Sequence, residues 1–278
     1  MKKVSLEKII LKSKKYIFGD LLGNNNSKIL GDGYDFAQIS PYVYGENIRR
    51  IDAFSSAKSG ELHTRSYYES KEVNFHAVVL GSGSLHFGTK KLKQDVIAEV
   101  VGLLGFSAIK NADSFSFAIL SDKLLYQSLS KKNHNSITAN VDKVLSQNFL
   151  GQKLDADFVS DYLLNHIKKR SLVFLISDFF DNFSLSAASK KHEIIAIKVR
   201  DIFEEKPSEI GFIDILNPIN FENTQVAFEK NEIKNYQASL KKHDSLTREH
   251  LRKCGIKIVD IYTHENPYVK LEKALRFR

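Results

Sequence analysis

Apolar and polar positions change their period several times along this chain, and the changes mark its elements. Near the start, Leu6, Ile9, Ile10 and Ile17 recur at helical spacing among lysines and Glu7, which predicts an amphipathic helix. The stretch Gly23–Ser27, with three consecutive asparagines, reads as a hinge behind it. From Gly31 to Ser70 no period holds; Gly, Tyr, Ser and charge dominate, so irregular or extended structure is expected there. After Val73 the pattern becomes an alternation of short apolar runs and longer amphipathic segments.

The runs Asn74–Leu80, Ser114–Leu120, Lys123–Ser128, Leu172–Ile176, Glu193–Val199 and Ile256–Asp260 predict strands, with Ser121–Asp122 as a turn between two of them. Between them, Lys91–Lys110, Ala139–Leu145, Asp155–Lys169 and the long polar Lys230–Lys253 predict helices. Leu92, Val96, Val100, Leu103 and Leu104 form one face of the first of these. Such alternation argues for a mainly parallel, doubly wound sheet with helices on both faces. The expected organisation is an N-terminal helix and irregular extension over residues 1–72, then an α/β domain over 73–278.

Composition narrows this picture. A length of 278 residues and a hydrophobic fraction of 42% suit one large α/β domain or two small ones. No apolar run approaches the roughly 18 to 20 residues that span a bilayer. Lys2 and Lys3 resemble the start of a signal peptide, but Glu7, Lys8 and Lys12 interrupt the segment behind them. The lone cysteine, Cys254, precludes an internal disulfide and reads as a buried, inert thiol at a helix end before Gly255. A soluble, cytoplasmic chain is expected. Its formal net charge of +8 raises a second reading, a basic module for nucleic acid or another surface. The lysine pairs fall mostly at element ends, however, and no strand interleaves basic with aromatic residues as single-strand binding requires.

In a doubly wound sheet, ligands bind beyond the carboxyl ends of strands where the strand order reverses. The loops to inspect are therefore those after Leu80 and after Ile176. The first reads Gly81-Ser82-Gly83-Ser84; the second reads Ser177-Asp178-Phe179-Phe180-Asp181. Hydroxyls and a carboxylate converging there suit a hard cation such as Mg²⁺. Two other chemistries fail on spacing. Gly88-Thr89-Lys90 inverts the Lys-Ser/Thr order of a phosphate loop, and neither Ser82 nor Ser84 has the flanking glycines of a nucleophile elbow.

This order of elements resembles a von Willebrand factor type A domain, whose metal-dependent adhesion site opens with Asp-x-Ser-x-Ser. Ser82 and Ser84 match the two serines, Asp178 the late Asp, and Thr138 less closely the Thr. Leu80 stands where the first Asp belongs, so the resemblance implies a degenerate site with weak or no metal binding. A more specific resemblance covers nearly the whole chain. Gly31, Gly33 and Phe36, then Tyr42, Gly45, Arg49 and Asp52, follow the signature Gly-x-Gly-x-x-Phe … Tyr-x-x-Gly-Asp-Asp-x-Arg-x-Ile-Asp-Trp of the bacterial "domain of unknown function 58" family. Asp201 and Glu204 resemble its later Asp-Pro-x-Glu. The chain departs from the signature at Ser40, Asn47 and Ala53.

That resemblance implies a von Willebrand A-like fold and a role as an accessory protein beside a MoxR-type AAA+ ATPase. A non-catalytic adaptor without a cofactor is the expected function. Partner binding at the crevice should then survive chelation, and Arg49 or Arg50 should be held by acidic side chains.

Overall fold

The computed structural model describes residues 6–16, 30–31, 35–68 and 74–275. They fall into two compact units, one drawn from Met1–Gly23 and Asn74–Arg278, the other from Asn24–Val73. The chain opens with α1 (Leu6–Tyr16). The small unit then contains β1 (Leu30–Gly31), β2 (Asp35–Pro41), α2 (Ala53–Ser59) and β3 (His63–Tyr68). Its strands form an antiparallel sheet in the order β1-β3-β2, so a region without a clean period is a small sheet plus one helix.

The large unit continues with β4 (Asn74–Leu80), α3 (Lys93–Lys110), β5 (Ser114–Leu120), β6 (Leu124–Lys131), α4 (His134–Ser146) and α5 (Ala156–Asp161), which runs into a π-helical turn, Tyr162–His166. Then follow β7 (Leu172–Ser177), α6 (Ala188–Lys191), β8 (Glu193–Arg200), α7 (Ile202–Glu205), β9 (Gly211–Leu216), β10 (Asn223–Phe228), α8 (Lys230–Lys253), β11 (Lys257–Tyr262) and α9 (Pro267–Leu275). Six strands make one sheet in the order β11-β8-β7-β4-β5-β6. Every pairing is parallel except β5 with β6, the hairpin closed at Ser121–Lys123. This is the mainly parallel, doubly wound class expected.

Burial explains the strand pattern. β4, β5, β7 and β8 are covered on both faces, so they read as apolar runs rather than alternations. On one side, Val78, Leu80, Leu120, Val159, Tyr162 and Leu175 belong to a continuous core. α3 is buried around nearly its whole circumference, not along one face, because the sheet, α1, α4 and α9 all pack on it. By contrast α8 buries only Leu240 and Leu251. It is fastened by charge: Lys198 and Arg200 of β8 both reach Asp244 of α8 at 3.1 Å, and Arg248 of α8 reaches Asp260 of β11 at 2.7 Å.

The expected boundary after residue 72 needs correcting for the first helix. α1 belongs with the α/β unit: Ile9 is fully buried, Lys12 Nζ donates to Glu99 of α3 at 2.9 Å, and Gly102 leaves room for Ser13. Ile17, expected on the same face, lies outside the described residues. Helix ends shift for local reasons. α4 starts at His134 because the Asn133 side chain caps it, and α5 starts behind the cap Asp155. The hairpin β9–β10 and the helix α9 extend the expected set. Cys254 ends α8 before Gly255 (φ 68°) as expected, but it is half-buried, not buried, beside His250 and Ser186. No described helix is long and apolar enough to cross a membrane.

Candidate functional site

Strand order reverses between β4 and β7, so the loops after them meet at the carboxyl end of the sheet. Ser82 precedes a single 3-10 turn, Gly83–His86, and its hydroxyl lies 2.6 Å from that of Ser84. Glycine is required at position 83, where a Cβ would run into the Pro218 carbonyl. Ser84 Oγ donates to Asp178 Oδ2 at 2.5 Å, which joins the two loops. Ser82, Ser84 and Asp178 are therefore brought together as the spacing predicts.

The other two positions are not. Thr138 sits in α4, where its hydroxyl donates to the His134 carbonyl of its own helix at 3.2 Å. Leu80 is a core residue, packed among the apolar side chains of β5, β7 and α5.

A residue absent from the expected set completes the centre. Lys93, the first residue of α3, is fully buried, and its ammonium donates to Asp178 Oδ2 and to Glu204 Oε1, each at 2.7 Å. These are charge-assisted bonds at ordinary length. Arg200, also fully buried, donates from Nε to the Asp178 carbonyl at 2.6 Å. Phe179 turns the chain between them with a left-handed φ of 54°, a conformation that costs a bulky residue about 1–3 kcal/mol. Its buried ring and the bond from His243 Nε2 to its carbonyl (3.0 Å) hold it there. The turn lays the Phe180 ring over Arg200 at 3.6 Å and over Lys93 at 5.1 Å, a shared aromatic cover for both cations.

Electrostatics follow from this packing. Burial alone would raise the Asp178 carboxyl, but the Lys93 ammonium, the Ser84 hydroxyl and the Arg200 guanidinium hold it below the ordinary 3.8. Glu204 shifts the other way: burial pushes it above 4.5 although Lys93 pulls it down. The hydroxyl of Ser84 donates to a carboxylate that also faces an ammonium.

Asp201 and Glu204 act as a pair. Asp201 caps α7 by accepting from the Phe203 amide at 2.9 Å, while Glu204 accepts from the Asp201 amide at 2.9 Å, a reciprocal capping box. Asp201 also accepts from the Thr89 amide at 2.8 Å and from the hydroxyls of Thr89 and Thr263. It thus ties the loop after β4 and the loop after β11 to the start of α7, and aims Glu204 at Lys93. Thr89, the residue that misorders the phosphate-loop match, is engaged here.

In the small unit several signature residues hold local structure. Gly45 turns at φ 105°, which favours glycine. Asn47, where the family has Asp, still caps the 3-10 turn Ile48–Arg50 by accepting from the Arg49 amide at 3.1 Å. The Arg49 side chain is exposed, and Arg50 lies over the Tyr67 ring at 5.5 Å. Asp52 anchors the segment: it caps α2 at Ser55 and accepts from Arg65 Nε at 2.5 Å. Both interactions hold the Asp52 carboxyl below its ordinary value. Tyr42 Oη donates to the Glu46 carbonyl, Phe36 is largely exposed beside Tyr67, Gly31 pairs with Tyr67, and Gly33 lies outside the described residues.

The metal that a von Willebrand A-type site implies does not fit these residues. Only Asp178 is matched among the acidic positions, and its Oδ2 already faces an ammonium. Among the described residues no three His, Cys, Asp or Glu side chains converge to hold an ion. Beside the charged centre runs a groove of about 520 Å³ bordered by Ser84 and Glu204, with apolar walls from Phe87, Phe203, Ile213 and Phe228.

Lys93, Arg200 and Phe180 were the residues that spacing did not single out. A signal existed for the first two. A lysine at the first turn of a helix opposes the helix dipole, and an arginine at the end of a buried strand must meet a counter-charge.

Two curated relatives, uncharacterized proteins Rv1480 of Mycobacterium tuberculosis and Mb1516 of Mycobacterium bovis, are each 23% identical over 214 residues, spanning 74% of this chain and 68% of theirs. Among solved structures, conserved hypothetical protein BatB from Bacteroides thetaiotaomicron aligns at a TM-score of 0.45 and 8% identity, over 74% of this chain and 98% of that one. The SpRpn10 VWA domain aligns at 0.37 and 8%, over 75% and 96%. Residues 38–246 match the family described as "Protein of unknown function DUF58". That match takes in most of the chain, from β2 of the small unit into α8, and the chain belongs to the DUF58 family.

Proposed function

We propose that this chain is a non-catalytic adaptor that docks a protein partner at the carboxyl end of its sheet without a metal ion. The observation that carries the reading is the apolar groove bordered by Ser84 and Glu204, whose charges are already satisfied internally. A preformed apolar concavity at a strand-order reversal is the usual setting for recognition. The small unit adds exposed apolar residues, with Tyr44 at 98% and Phe54 at 79% exposure. The partner we favour is a MoxR-type AAA+ ATPase, on the family resemblance alone. The basic residues at the carboxyl end of the sheet do not favour the nucleic-acid alternative, since Lys93, Lys198, Arg200 and Arg248 all face carboxylates of the chain itself.

The test is co-elution of the purified chain with a purified MoxR-type ATPase from the same genome, with and without EDTA. We expect a complex that survives chelation and weakens roughly tenfold or more when Ile213→Asp places a charge in the groove. No complex, or one indifferent to Ile213→Asp, counts against the reading. The chain alone should turn over no ATP; hydrolysis that co-purifies with it and disappears in Ser82→Ala or Lys90→Ala contradicts the non-catalytic part.

A further inference from the structure

The centre of the crevice is an arrangement of oxygens around one cation. Asp178 and Glu204 each present a carboxylate oxygen 2.7 Å from Lys93 Nζ, and Ser84, linked to Ser82, closes the Asp178 side. Lys93 is an unfavourable residue for this position on two counts. Its ammonium is fully removed from water, and it sits at the positive end of a long helix. The two carboxylates, with the Phe180 ring 5.1 Å over the ammonium, offset these terms. They in turn are withdrawn from water, with side-chain exposures of 1% and 11%, and the cation between them is the main group that keeps both charged, beside the Ser84 hydroxyl at Asp178 and the Asp201 amide at Glu204.

We infer that the Lys93 ammonium is the resident cation of this crevice: it occupies the position a divalent ion would take, so the native chain binds none, and removing the amino group uncovers a latent divalent-ion site formed by Asp178, Glu204 and Ser84. Charge supports the exchange. Without Lys93 two buried carboxylates face one another, and a doubly charged ion neutralises both. Oxygen-rich donors of this kind suit Mg²⁺ or Mn²⁺, which complete their shells with water. An ion at bonding distance from Asp178 and Glu204 cannot share the space with an ammonium that already lies 2.7 Å from both.

The inference moves the reason for metal exclusion away from Leu80. That side chain points into the core among Val78, Leu120 and Val159. A carboxylate placed there enters apolar packing and not the oxygen cluster, so Leu80→Asp alone should destabilise the chain without creating a site. The inference stands whether or not the neighbouring groove docks a partner.

The experiment compares thermal melts of the parent chain, Lys93→Ala, Lys93→Gln and Leu80→Asp in EDTA and in millimolar Mn²⁺. We expect Leu80→Asp to melt below the parent, and neither to change between EDTA and Mn²⁺. Lys93→Ala and Lys93→Gln should melt lower in EDTA and gain roughly 3–6 °C at tenfold excess of Mn²⁺ over its Kd. Adding Asp178→Asn to either variant should remove the gain. Folded Lys93 variants that Mn²⁺ leaves unmoved overturn the latent site. An Mn²⁺-dependent gain in the parent that Asp178→Asn abolishes overturns the exclusion. If neither Lys93 variant folds, paramagnetic broadening by Mn²⁺ in the amide spectrum of the parent still decides the native state: signals of Ser84 and Phe180 should be unaffected, and selective loss of them overturns the inference.

Discussion

Replacing Lys93 by methionine isolates the energetic weight of the crevice. Methionine keeps most of the aliphatic stem, so packing changes little and the main loss is the charge. Lys93 is fully buried, so its interactions are not screened by solvent. Deleting one member of a buried ion pair destabilises by about 3–5 kcal/mol, because the remaining charge is left uncompensated. For a unit of this size each kcal/mol lowers the melting temperature by about 2–4 °C, so a fall of roughly 6–20 °C is expected. The pH dependence gives the sharper signature. In the parent, the folded Asp178 carboxyl lies below 3.8, so its contribution is present above that value and is lost as pH falls through the folded pKa. Without Lys93, burial dominates, the folded carboxyl rises above its unfolded value, and the variant is penalised at neutral pH and relieved by acid. Urea unfolding of both proteins at neutral pH and near pH 4.5 measures this. The gap between them should be largest at neutral pH and shrink on acidification. A gap under about 1 kcal/mol, or one independent of pH, refutes the reasoning.

Two further perturbations probe other parts of the fold. His76 in β4 is buried between Ser116 and the Tyr162 hydroxyl, and burial, with His192 nearby, lowers it from 6.5 to about 4. Its neutral form therefore contributes about 3 kcal/mol above pH 6.5 that is lost as pH falls toward about 4; an acid-stability profile unchanged in His76→Gln would count against this. In the small unit, Asp52→Ala or Arg65→Ala should accelerate amide exchange across α2 and β3, whereas Arg49→Glu should leave it unchanged, since Arg49 contributes only its backbone amide to the Asn47 cap. The reverse ranking rules out Asp52 as the anchor.

The alternation after Val73 made the doubly wound sheet legible, because parallel strands buried on both faces read as nearly continuous apolar runs. It also located the reversal of strand order, and with it Ser82, Ser84 and Asp178. What spacing cannot convey is which charged side chain turns inward. Lys93 follows Lys90 and Lys91, and nothing in that run distinguishes the buried lysine from the other two except its place at the head of an apolar helix. Thr138 illustrates the converse: a residue of the right type on a helix whose own carbonyls satisfy it. The hairpin β9–β10 escaped because its strands are largely solvated and its apolar positions, Phe212, Ile213, Ile215 and Leu216, alternate imperfectly. Similarly, the Gly31–Ser70 segment hides a sheet of short, polar, antiparallel strands, in which Asp52 and Arg65 come together only through the β3 pairing.

The most direct test of a crevice organised around a lysine instead of a metal is diffraction from crystals soaked in millimolar Mn²⁺, with data collected at the manganese absorption edge. The account predicts continuous density for the Lys93 side chain ending between Asp178 and Glu204, and no anomalous peak there. An anomalous peak within bonding distance of Asp178, with Lys93 displaced from the crevice, would contradict it.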